Sequence, residues 1–90
     1  MDRLTDAELV SAARSQPDAV AELFRRHSRD IYLWFRSRVP SGDAAELTAE
    51  TFAQAILGLR SFRDPGHGSA APWLFGIARN LAKRYYERQP

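Results

Sequence analysis

Cysteine is absent from the 90-residue sequence, which removes disulfides, thiolate nucleophiles and zinc–thiolate sites together. No apolar run approaches the roughly 18 residues needed to cross a bilayer. The amino-terminal stretch MDRLTDAE is too acidic and polar for a signal peptide, so a cytoplasmic setting without a membrane is expected. There is no internal repeat, low-complexity tract, interdomain linker or convincing strand pattern. Catalytic groupings are missing as well. His27 and His67 stand 40 residues apart, and no HExxH, GxSxG or phosphate-cradling glycine loop accompanies them. A chain this short buries one modest core and no deep pocket. The expectation is a non-enzyme with no catalytic residue, no metal and no cofactor.

What is present is a soluble, globular composition, 44% hydrophobic and 27% charged. The net charge of +2 is unevenly spread: residues 1–50 carry seven basic and nine acidic side chains, residues 51–90 six and two. The basic second half is the better candidate for a polyanionic partner.

Four helical segments can be placed. Thr5-Asp6-Ala7-Glu8 has capping-box spacing, with Leu9, Ala12 and Ala13 following at helical intervals, so a short first helix should end near Gln16. Pro17 suits the first turn of a second helix. Its apolar stripe is Val20, Leu23, Phe24, His27, Ile31, Trp34 and Phe35, with Glu22, Arg25, Arg26, Arg29 and Arg36 around the rest. His27 on that stripe reads as a packed core histidine. Pro40-Ser41-Gly42 ends this helix. A third should run from about Asp43 to Arg60, burying Leu47, Thr48, Phe52, Ala55, Ile56 and Leu59. Residues 64–69 form a glycine-containing loop, and Ser69 is a suitable N-cap for a fourth helix with Pro72 in its first turn. These segments predict an all-α four-helix bundle, one short helix and three longer ones, occupying about residues 5–88 as a single domain.

The fourth helix, WLFGIARNLAKRYYER over 73–88, divides into two faces. Leu74, Ile77, Ala78, Leu81 and Tyr85 make a packing stripe, and Arg79, Asn80, Lys83, Arg84, Glu87 and Arg88 lie opposite. That build suits a helix that reads nucleic acid, and it equally suits a solvated cationic face. In the loop before it, Gly66 and Gly68 permit close backbone approach, and His67 and Ser69 can hydrogen-bond a base edge; a plain turn is the alternative. On the third helix Asp43, Glu46, Glu50 and Gln54 recur every three or four residues beside small Ala49 and Ala53. This strip is either a docking face for a basic partner or a solvated one. Glu46 and Glu50 have the spacing to hold a metal, but no matching ligand pair stands elsewhere.

The blocks TDAELVSAAR, AVAELFRRHSRDIYLWFRSRV, PSGDAAELTAETFAQAI, SFR and WLFGIARNLAKRYYER, in this order and spacing, resemble region 2 of the extracytoplasmic-function (ECF) sigma factors of the sigma-70 family. The resemblance covers about residues 5–88. It implies transcription initiation: binding core RNA polymerase, then recognising and helping to melt the promoter −10 element. Asp43, Glu46, Leu47, Glu50 and Gln54 would face the clamp helices of the largest catalytic subunit. Arg63, His67, Ser69, Arg79, Asn80, Lys83 and Arg84 would contact DNA, mainly the single-stranded non-template strand. Asn80 matches a position lining the pocket for a flipped base.

The chain departs from the family pattern at Ala49, commonly glutamine, at Arg84, frequently aspartate, and in the slightly long loop DPGHGSAAP. Nothing in it corresponds to region 4, the −35-reading domain, so it reads as a piece ending just after region 2. An anti-sigma factor is a further candidate partner. The alternative function is a helical interaction module held mainly by such a regulatory protein. A duplex-reading helix-turn-helix would need a recognition helix after a three- to four-residue turn, and none is found.

Overall fold

The computed structural model describes residues 3–89, and among them helices are the only regular secondary structure. They are α1 (Asp6–Ala13), α2 (Pro17–Arg36), α3 (Ser41–Leu57) and α4 (Ala71–Arg88), with a single 3-10 turn at Leu59–Ser61. The expected all-α bundle of one short and three longer helices is what forms. Helix α1 opens with the capping box: Glu8 N–H donates to Thr5 Oγ1 at 3.1 Å, and Thr5 N–H donates to Glu8 Oε1 at 2.8 Å. Such a cap contributes about 1 kcal/mol. The helix closes at Ala13, three residues before the expected end.

Pro17 is the first residue of α2, where its missing N–H costs nothing. Its 20 residues extend about 30 Å. Helix α3 starts at Ser41, two residues earlier than expected, because extended Pro40 acts as its N-cap and accepts from Ala44 N–H at 2.9 Å. Leu9, Ile31, Phe35, Ala44, Leu74 and Ala78 are almost wholly buried between the helices. Trp34, Trp73, Phe75, Ile77 and Tyr85 pack around that core with part of each ring or chain still accessible.

Ile56, Ser69 and Glu22 also depart from expectation. Ile56 is 48% exposed and its neighbour Leu57 82% exposed. Periodicity assigns a helix face but cannot show where the neighbouring helix stops, and α3 runs on past its cover. Ser69 is not the N-cap of α4. Ala70 takes that place, since its carbonyl accepts from Leu74 N–H at 2.9 Å, while Ser69 Oγ accepts from Ala71 N–H at 3.1 Å. Glu22 does not belong to the exposed charged side of α2. It is buried between Arg26, whose Nε donates to its Oε2 at 3.0 Å, and Arg25.

Candidate functional site

The polar face of α4 is exposed along its length, as Arg79, Asn80, Lys83, Arg84, Glu87 and Arg88 show. It borders two separate grooves. Asn80 and Arg84 line a groove of about 230 Å³ together with Gln54, Gly58, Ser61, Trp73 and Ile77. Trp73 is fixed in its wall by an edge-on contact with Phe62, with ring centroids 5.2 Å apart. One groove therefore offers an amide, a cation and an aromatic plane, the three contacts that recognise an unpaired nucleotide. Arg79 and Lys83 lie on the other flank, beside the carboxy-terminal end of α2.

Arg63, His67 and Ser69 are in the preceding loop and do not line the Asn80 groove. Arg63 Nη1 donates to the carbonyls of Arg60 and Phe62 at 2.8 and 2.9 Å. His67 Nδ1 accepts from Ser69 N–H at 3.2 Å, so the neutral ring carries its proton on Nε2 and presents a donor outward. Asp64 Oδ1 takes the N–H groups of Gly66 and Gly68, each at 2.9 Å, and these bonds hold its carboxyl below the usual range. Gly66 (φ +110°) faces open space. Gly68 (φ +79°) faces α1, because a Cβ there would sit 3.1 Å from the Thr5 Cβ. Its conformational freedom serves packing against Thr5, whereas that of Gly66 serves the turn closed on the Asp64 carboxylate.

A buried carboxylate ties down the same loop. Asp6 Oδ2 accepts from Ala70 N–H at 2.8 Å and lies 2.6 Å from His27 Nε2, while Asp6 Oδ1 accepts from Arg26 Nη1 at 3.2 Å. Ala7 N–H adds a bond to the Gly68 carbonyl at 2.9 Å. Burial pushes the Asp6 pKa up, but the Ala70 N–H, His27 and Arg26 outweigh it and hold the carboxyl below its ordinary value. His27 is thus a partly buried partner of Asp6 rather than a purely apolar core residue. Nothing in the sequence marks Asp6 beyond its place inside the capping box.

The expected polymerase-facing residues are divided by their surroundings. Glu46 and Glu50 are exposed, with Ala45, Ala49 and Ala53 exposed alongside them, and Leu47 is buried beneath. Asp43 Oδ2 accepts from the Tyr85 hydroxyl at 2.6 Å, which joins the start of α3 to the end of α4. That bond, with burial behind it, raises the Tyr85 pKa. Gln54 lines the Asn80 groove. Among the described residues no cluster of three or more histidines or carboxylates is placed to hold a metal, and no helix is long and apolar enough to span a membrane.

Comparison with known proteins agrees with the resemblance. The family model described as Sigma-70 region 2 matches residues 23–90. RNA polymerase sigma factor YlaC of Bacillus subtilis (strain 168) is 37% identical over 73 residues, covering 79% of this chain and 40% of the relative. The ECF RNA polymerase sigma-E factors of Salmonella typhimurium (strain LT2) and Escherichia coli (strain K12) are each 34% identical over 89 residues, covering 98% of this chain and 46% of theirs. The chain spans less than half the length of these curated relatives. No solved structure matches it significantly.

Proposed function

The chain belongs to the Sigma-70 region 2 family, and from that premise we propose that it acts in transcription initiation, docking on core RNA polymerase and recognising the promoter −10 element as it melts. The groove shared by Asn80, Arg84 and Trp73 carries this reading. A duplex reader needs a helix that projects into a major groove. Here the amide and cation instead flank a recess with an aromatic wall, which suits a base already out of its stack. The loop held by Asp6, Ala7 and Asp64 lies outside that groove and carries His67 and Ser69 as separate candidate contacts to the strand. Arg63, Arg79 and Lys83 supply cations for the backbone. Glu46 and Glu50, on a face of α3 lined by alanines, form the surface for a basic helix of the polymerase, with Asp43 and Gln54 at its ends. The domain catalyses nothing itself on this reading.

Single-stranded non-template −10 oligonucleotides titrated at several salt concentrations test it. Neutralising about 3–4 phosphates on a single strand gives a log–log slope near −2 to −3. Duplex of the same sequence should bind more weakly than the strand. Retained binding to polymerase or an anti-sigma protein with no salt-dependent binding to any strand would instead favour a protein-interaction module.

A further inference from the structure

We propose a second nucleotide subsite on the other flank of α4, in the cleft between that helix and the carboxy-terminal end of α2. The cleft measures about 340 Å³ and is lined by Trp34, Arg38, Arg79, Ala82, Lys83 and Tyr86, a size within the range of ligand sites. Its aromatic wall is fixed from behind. Trp34 meets Phe35 and Phe75 edge-on, at centroid separations of 5.1 and 6.2 Å. The Arg38 guanidinium carbon sits 4.1 Å over the Trp34 ring. Arg38 Nη1 donates to the Trp34 carbonyl at 2.9 Å and to Ser37 Oγ at 2.7 Å. The last turn of α2 thus holds this cation in place before any ligand arrives. Tyr86 is half exposed, and its hydroxyl donates to the Arg38 carbonyl at 3.3 Å.

Three cations line this cleft and no carboxylate does. The Arg38 guanidinium seated over Trp34, with half-exposed Tyr86 beside it, takes a base on its outer side, while Arg79 and Lys83, one turn apart on α4, take the phosphates beside it. A purely apolar partner would bury these cations unpaired, and an acidic peptide would leave the planes unused. The occupant that uses both is a nucleotide unit within a single strand of DNA. The inference rests on the proposed DNA role of α4 and extends it. A strand seated at Asn80 and Arg84 crosses a helix about 10–12 Å wide to reach Arg79 and Lys83.

The two tryptophans separate the subsites, since Trp73 lines one groove and Trp34 the other. Trp73→Phe leaves Trp34 as the sole reporter, and Trp34→Phe leaves Trp73. Each variant, its helicity verified by circular dichroism, is titrated at low salt with a mixed-sequence single-stranded 12-mer. The strand should quench Trp34, whereas an abasic 12-mer should bind with salt dependence and leave Trp34 unquenched. In the unsubstituted chain, Arg38→Ala should weaken strand binding about fivefold or more. A silent Trp34 beside a responding Trp73 would overturn the second subsite and leave the −10 reading standing. A responding Trp34 beside a silent Trp73 would do the reverse, and silence of both would overturn both. Equal quenching by polyglutamate or by the abasic strand would show an anion site that reads no base. Equally tight quenching by thymidine monophosphate would overturn a strand as the occupant.

Discussion

Asn80 and Lys83 stand one turn apart on α4, both exposed, yet they border different grooves. An amide both donates and accepts, so it can distinguish base edges, whereas an ammonium is a point charge that any phosphate satisfies. Asn80→Ala is therefore expected to cost roughly 1–3 kcal/mol of discrimination between a matched and a singly mismatched −10 strand, with a smaller loss of overall affinity. Lys83→Ala should weaken both strands about equally and reduce the salt slope by about 0.7. Anisotropy titrations of both strands against both variants give the comparison, and equal effects on the two strands from each variant would refute this division of labour. Arg84 belongs with Asn80 in this scheme and Arg79 with Lys83, because each pair shares a groove.

Among the elements, α3 has two sides of opposite character. Leu47, Thr48, Thr51, Phe52 and Ala55 are buried, and Glu46 and Glu50 stand in solvent between alanines. Glu46→Lys should abolish co-elution with core RNA polymerase while shifting stability by no more than about 0.5 kcal/mol, as expected for an exposed site. Core binding that survives the reversal would make this a solvated face. The elements themselves were legible in the sequence because their signals are local. The Thr5–Glu8 cap, Pro17 at a helix start and the two faces of α4 each depend on residues a few positions apart. Asp6 and Glu22 were not legible, since a carboxylate is read as surface by default. What buries Asp6 is a set of partners 20 to 64 residues away. Gln54 shares the α3 periodicity with Glu46 and Glu50, and only the approach of α4 assigns it to the Asn80 groove. Gly68 likewise reads as a ligand-approach glycine until Thr5 is seen against it.

At the scale of the whole molecule, the loop before α4 is held from both ends by carboxylates. Asp64 gathers the Gly66 and Gly68 amides from within the loop, and Asp6 takes the Ala70 amide from α1. Both carboxyls titrate below their ordinary values in the folded chain. The unfolded chain therefore binds protons first as pH falls, with a carboxyl pKa of about 3.9. Each carboxylate contributes stability that is complete above that value and is lost as pH drops through the lower folded pKa. Melting temperature should accordingly be flat near neutrality and fall below about pH 4. Asp6→Asn keeps an oxygen for the Ala70 amide but removes the charge facing Arg26 and His27. Because Glu22 still holds Arg26, the change should cost about 2 kcal/mol at pH 7, on the order of 10 °C in melting temperature. The variant should also lose part of the acid dependence. Asp64→Asn, at an exposed site, should lower neutral-pH stability only slightly and reduce the acid limb by the same small amount. Thermal melts from pH 3 to 7 on the three proteins provide the test, and an acid limb in Asp6→Asn as steep as in the unsubstituted chain would show that Asp6 is not what acid releases.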